Sequence, residues 1–184
     1  MADAWTVFFY NVESPAAIDY NMASVLNRSG TEVLKIRRVS VYTTRTNSTA
    51  GSMEYYELRR YTSADVFTYS QDTQVVSLAN DPKSAAPSAA IYASGYASNL
   101  RGTYELLRNV VIFNERITLD TYVAGNPMLP VQSEVPLSVV WDAGYRDANV
   151  QPLTLRASEM ITLWKAAVGG DGPGLTVCFE FTKE

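Results

Sequence analysis

The run Leu175-Thr176-Val177-Cys178-Phe179-Glu180-Phe181-Thr182 alternates apolar and mostly polar residues with a period of two. Successive side chains of an extended chain point to opposite faces. Leu175, Val177, Phe179 and Phe181 therefore share one face, and Thr176, Cys178, Glu180 and Thr182 share the other. This is the pattern of a half-buried antiparallel strand, and no helix accommodates it. It places Cys178 outward, beside Thr and Glu, as a small strand residue. Nothing near it in sequence would depress its pKa and make a reactive thiol.

Other runs follow the same rule. Glu159 to Lys165 is expected to pair with the terminal strand across Gly169-Gly170-Asp171-Gly172-Pro173-Gly174, whose residues permit positive φ or fix a turn. No helix follows these glycines and no Lys-Ser/Thr ending appears, so they read as a hairpin tip rather than a phosphate loop. Thr31 to Tyr42 and Met53 to Tyr61 read as strands of a long hairpin, joined by the polar segment Thr43 to Ser52. In the first of these the apolar parity moves from Leu34 and Ile36 to Val39 and Val41, which predicts a β-bulge at Arg37-Arg38. Tyr104 to Phe113 and Arg116 to Val123 flank Asn114-Glu115 as a tight hairpin.

Trp5 to Tyr10 is apolar on both faces, so either a second layer or a neighbouring chain must cover it. Ala79 to Ala90 and Gly125 to Pro136, rich in proline or alanine, read as long surface loops. The one weak helical signal is a short turn over Asp19 to Leu26. The expectation is an all-β chain of eight to ten strands: an antiparallel, jelly-roll-like β-sandwich with long surface loops, forming one domain over residues 1–184.

Composition narrows the chemistry. The formal net charge of -4 lacks the basic footprint that nucleic acid requires. Histidine is absent, which removes the commonest general base and the commonest metal ligand together. One cysteine makes neither an intramolecular disulfide nor a thiolate zinc site. Met1-Ala2-Asp3 leads into Trp5 without a basic and apolar leader, and no run approaches the roughly 20 apolar residues of a spanning helix. The expectation is synthesis in the cytoplasm, without a standard export signal and without a membrane partner. Charged residues make up 18% of the chain, below the roughly 25% usual for globular proteins. Tyr, with 12 residues, is the commonest aromatic and suits both strands and interfaces.

Candidate catalytic sets are weak. Glu54 and Glu57 are an odd number apart in a strand and face opposite sides, so they do not form a glycosidase pair. Asp142 and Asp147 flank what reads as a turn; with Asn149 they offer oxygen ligands, but not at the spacing of a calcium loop. Tyr55, Tyr56, Tyr92, Tyr96 and Tyr104 are candidates for stacking on sugar rings, set against ordinary strand aromatics. Arg37-Arg38 and Arg59-Arg60 read as members of cross-strand ion pairs with residues such as Glu54 and Glu57. The expectation is no catalytic residues, no cofactor and no metal.

The stretch from Trp141 through Pro152-Leu153-Thr154-Leu155-Arg156 to Trp164, together with Leu175 to Thr182, resembles the C-terminal part of small β-sandwich virion proteins of tailed bacteriophages. In those proteins a Gly-Glu-Gly-like turn follows the strand entry; here Ala157-Ser158-Glu159-Met160 stands in its place. Trp5 to Asn11 and Glu57-Leu58-Arg59-Arg60 are also similar, so that the resemblance covers about half the chain. It implies a virion structural protein: a capsid decoration (cement) protein, or a head-fibre or tail component. The implied partners are the major capsid protein or other virion proteins, and further copies of the chain, a trimer being one arrangement. Trp5, Phe8, Tyr10, Tyr55 and Trp164 are the candidate interface residues. The alternative is a virion-surface or tail β-sandwich binding module that recognises a host glycan.

Overall fold

A computed structural model of the chain describes residues 3–13, 20–45, 52–62, 75–79, 83, 90–93, 96–97, 103–114, 137–143, 151–166 and 174–184. These form twelve strands: β1 (Asp3–Glu13), β2 (Tyr20–Asn27), β3 (Leu34–Arg45), β4 (Ser52–Tyr61), β5 (Val75–Ala79), β6 (Ala90–Ala93), β7 (Tyr96–Ala97), β8 (Tyr104–Asn114), β9 (Leu137–Asp142), β10 (Leu153–Leu155), β11 (Met160–Lys165) and β12 (Gly174–Lys183). There is no helix among the described residues.

The strands make two antiparallel sheets packed as a sandwich. The first runs β5-β1-β12-β3, with β9 and β10 following one another along the far edge of β3. The second runs β8-β4-β11-β2, with β6 and β7 sharing the far edge of β2. The fold class expected from the sequence is therefore the one observed.

The core lies between the sheets. Val7, Phe9, Ile36, Val39, Val41, Leu175, Val177, Phe179 and Phe181 enter it from the first sheet. Met22, Ala23, Val25, Tyr56, Leu58, Ile161 and Leu163 enter it from the second. Phe9 meets Phe179 edge to face, with ring centroids 5.7 Å apart. Tyr92 of β6 reaches Phe181 of β12 at 6.4 Å, which ties one sheet to the other. Such aromatic pairs add about 0.5–1.5 kcal/mol beyond their burial. The alternation read in residues 175–182 is the reason β12 can sit centrally: its apolar row fills the interior while hydrogen bonds run to β1 and β3 on its two edges.

Pairing between strands differs from the expected hairpins. β3 lies in the first sheet and β4 in the second, so 31–42 and 53–61 do not pair. β11 and β12 are likewise in different sheets. Among the described strands, no two that are consecutive in the chain are hydrogen-bonded to each other. The physical reason is the core: Leu34, Ile36 and Val39 on β3 and Tyr56 and Leu58 on β4 are buried against it from opposite sides. β8 is a strand as expected, but it pairs with β4, and the expected partner Arg116 to Val123 lies outside the described residues. So do the loop Gly125 to Pro136, residues 169–173 of the Gly-rich link, and most of 79–90.

Two local expectations divide. The bulge at Arg37-Arg38 is present: Arg38 pairs with Glu180 and Ile36 with Phe181, which leaves Arg37 as the extra residue. The helical turn at Asp19 to Leu26 is not; residues 20–27 are β2. Every residue from Asn21 to Asn27 is buried, so this strand is covered on both faces and shows no alternation to betray it.

Side chains of β2 also brace the entry to β3. Asn27 Nδ2 donates to the carbonyls of Glu32 and Leu155, each at 2.9 Å, and Asn27 Oδ1 accepts from the Ser29 amide at 2.9 Å. The Ser158 amide donates to the Asn27 carbonyl at 2.7 Å. Ser158 itself has φ of 65°, the left-handed region that favours glycine.

Candidate functional site

The side chains that could meet a partner lie on the two outer faces of the sandwich. On the second sheet, register places Tyr55, Glu57, Arg59 and Tyr61 of β4 outward, opposite Val111, Asn109, Leu106 and Tyr104 of β8. A bulge between Leu58 and Arg59 makes Leu107 the extra residue on β8. Leu107 packs against the core, while Arg108, opposite Leu58, donates from Nη1 to the Val140 carbonyl of the first sheet at 2.8 Å. Leu106 and Val111 are left outward on either side of the bulge.

The result is an exposed apolar strip. Tyr55 is 45% exposed, Tyr104 43%, Leu106 47% and Val111 41%. From Tyr104 to Val111 it runs on the order of 20 Å at strand rise. Its base is polar and fixed. The Arg59 guanidinium lies 4.1 Å from the centroid of Tyr104 and 4.8 Å from that of Trp164. Arg59 Nε donates to Glu57 Oε2 at 2.5 Å. Burial opposes the charge on Arg59, but bonding to Glu57 and Tyr61 outweighs it and raises the pKa above the ordinary value. Arg59 is thus a permanent cation that orients the Tyr104 ring.

Further across the same face the surface closes. Trp164, Met160 and Leu26 are buried, as are Asn21, Ser24 and Thr162. Those three polar residues satisfy one another: Thr162 Oγ1 donates to Asn21 Oδ1 at 2.6 Å, and Asn21 Nδ2 donates to Ser24 Oγ at 3.1 Å.

The outer face of the first sheet carries ion pairs toward one end. Arg38 pairs with Glu180 at 3.8 Å, and Lys35 with Glu184. Toward the other end stand Phe8, Tyr10, Ser40 and Cys178. The rings of Phe8 and Tyr10 stack at 5.6 Å with an interplanar angle of 15°. Tyr10 is 44% exposed, and Leu78, opposite Thr6, is 51% exposed. Cys178 does turn away from the core, as expected, but it is buried between Phe8 and Ser40 in the register. Burial, aided by Glu180, pushes its thiol up to about 11, with Ser40 and Arg38 pulling the other way.

The expected interface residues therefore separate. Phe8 is half-buried and Tyr10 exposed on the first sheet; Tyr55 is exposed on the second. Trp5 belongs to the core and Trp164 is buried beneath Arg59, so neither is a surface contact. Of the candidate stacking tyrosines, Tyr55 and Tyr104 share one exposed face, whereas Tyr56 and Tyr92 are core. Leu78, Leu106 and Val111 were not singled out by sequence. The signal for the last two was present in β8, whose Leu106-Leu107 and Val110-Val111 are apolar on both faces, as in Trp5 to Tyr10.

The arginines find partners, though few of those expected. Arg59 bonds Glu57 on its own strand; Arg60 lies 3.6 Å from Glu159 and 3.9 Å from Glu105. The side chain of Glu54 lies outside the described residues, as do Asp147 and Asn149. Among the described residues, no group of three or more Cys, Asp or Glu is placed to hold a metal ion, and no helix is long and apolar enough to cross a membrane. In comparisons with known proteins, no family model, no curated protein and no solved structure matches the chain.

Proposed function

We propose that the chain is a virion structural protein, a decoration (cement) protein that binds the major capsid protein or other virion proteins and stabilises a phage head. One observation supports this reading above the others: the sandwich presents exposed apolar side chains on both outer faces. Tyr10 and Leu78 lie on one, and Tyr55, Tyr104, Leu106 and Val111 on the other. A protein that holds neighbours together needs contact surface on more than one side, and aromatic residues dominate the energetics of such contacts. Exposed apolar side chains gathered on one face mark a contact surface more strongly than the same residues scattered singly do. The resemblance of residues 141–164 and 175–182 to phage virion proteins supplies the particle. Assembly takes place in the host cytoplasm, and copies of the chain associate with one another on the particle.

Mixing purified protein with empty capsids and sedimenting the particles tests the reading. Stoichiometric co-sedimentation is expected. Leu106→Asp should weaken it about thirtyfold or more, as loss of a central contact worth about 2 kcal/mol does. A folded wild-type protein that stays in the supernatant at every concentration would overturn the assignment.

A second reading is favoured by Tyr55 and Tyr104, which are exposed on one face of adjacent strands. Planar rings beside Glu57, Arg59 and Asn109 suit an oligosaccharide of a host surface. Saturable binding to a glycan library, abolished by Tyr104→Ala and independent of capsids, would favour it over the first.

A further inference from the structure

We draw no further inference here: the strongest candidate, the exposed apolar strip of Tyr55, Tyr104, Leu106 and Val111 on the outer face of β4 and β8, belongs to the site already described, and nothing in the structure shows what covers it.

Discussion

β12 and β8 are strands of similar length and similar apolar content, yet they lead opposite lives. β12 lies inside the first sheet with a neighbour on each edge. Its apolar row is fully buried, and even Thr176 and Cys178 on its reverse are covered. β8 ends the path of the second sheet, and its outward residues Tyr104, Leu106 and Val111 remain exposed. Both sequences carry enough hydrophobicity to specify a strand. What separates them is the number of sides on which the fold supplies a partner. An apolar residue on a central strand is a stability element; the same residue on the outer face near an edge is available for association.

Substitutions test this contrast most directly where burial is complete. Phe179→Ala should cost about 3–5 kcal/mol in chemical denaturation, because it removes the ring that meets Phe9 and leaves a cavity. A loss below about 1 kcal/mol would remove β12 from the core. Asn27→Ala should come next, at about 2–3 kcal/mol, since the carbonyls of Glu32 and Leu155 and the amide of Ser29 each lose a bond. An unchanged denaturation midpoint would show that water replaces the side chain at no cost.

The reverse of β12 is probed by pH. The Cys178 thiol ionises at about 11 when folded, above its ordinary value of 9.0. An acid whose folded pKa is raised favours the native state below the unfolded pKa, and loses that contribution as pH rises toward the folded one. Wild type should therefore lose more stability between pH 9 and pH 11 than Cys178→Ala does. Parallel pH profiles for the two proteins would mean that the thiol is open to solvent.

Smaller effects belong to the surface. Ser158→Gly should stabilise by about 0.5 kcal/mol, by relieving a left-handed backbone at an exposed turn. A decrease in melting temperature would contradict the strain. Leu106→Asp should change stability by about 0.5 kcal/mol or less, the range for exposed positions. Unfolding by this variant would place Leu106 in the core and break the contrast between β8 and β12.

The strands themselves were legible from local pattern. Residues 175–182 announced both their conformation and their inward face, and the parity change across Arg37-Arg38 marked a true bulge. Pairing was not legible, because hairpin reasoning assumes that neighbours in sequence are neighbours in a sheet. Here the chain passes repeatedly from one sheet to the other. β2 was missed for a different reason. Its Met22, Ala23 and Leu26 suit a helix, and burial on both faces erased the period-two signal. The surface was only half legible: aromatic content singled out Trp5 and Trp164 along with Tyr10 and Tyr55. Whether an outward ring is open depends on what lies above it, as Arg59 lies over Trp164.

The central position of β12 also bears on how the protein is made. β1 and β3 do not touch as strands; β12 lies between them and pairs with both. A chain growing from its N-terminus has β1 and β3 outside the ribosome while β12 is still unmade. At roughly 5–20 residues per second, the wait is on the order of ten seconds. During that time β1 can pair only with β5, and β3 only with β9 and β10, so the row of Val7 and Phe9 is not joined to that of Ile36 and Val39. Loop closure across most of the chain is slow once it becomes available. The first sheet of a chain with this topology is joined into one only after β12 has been made.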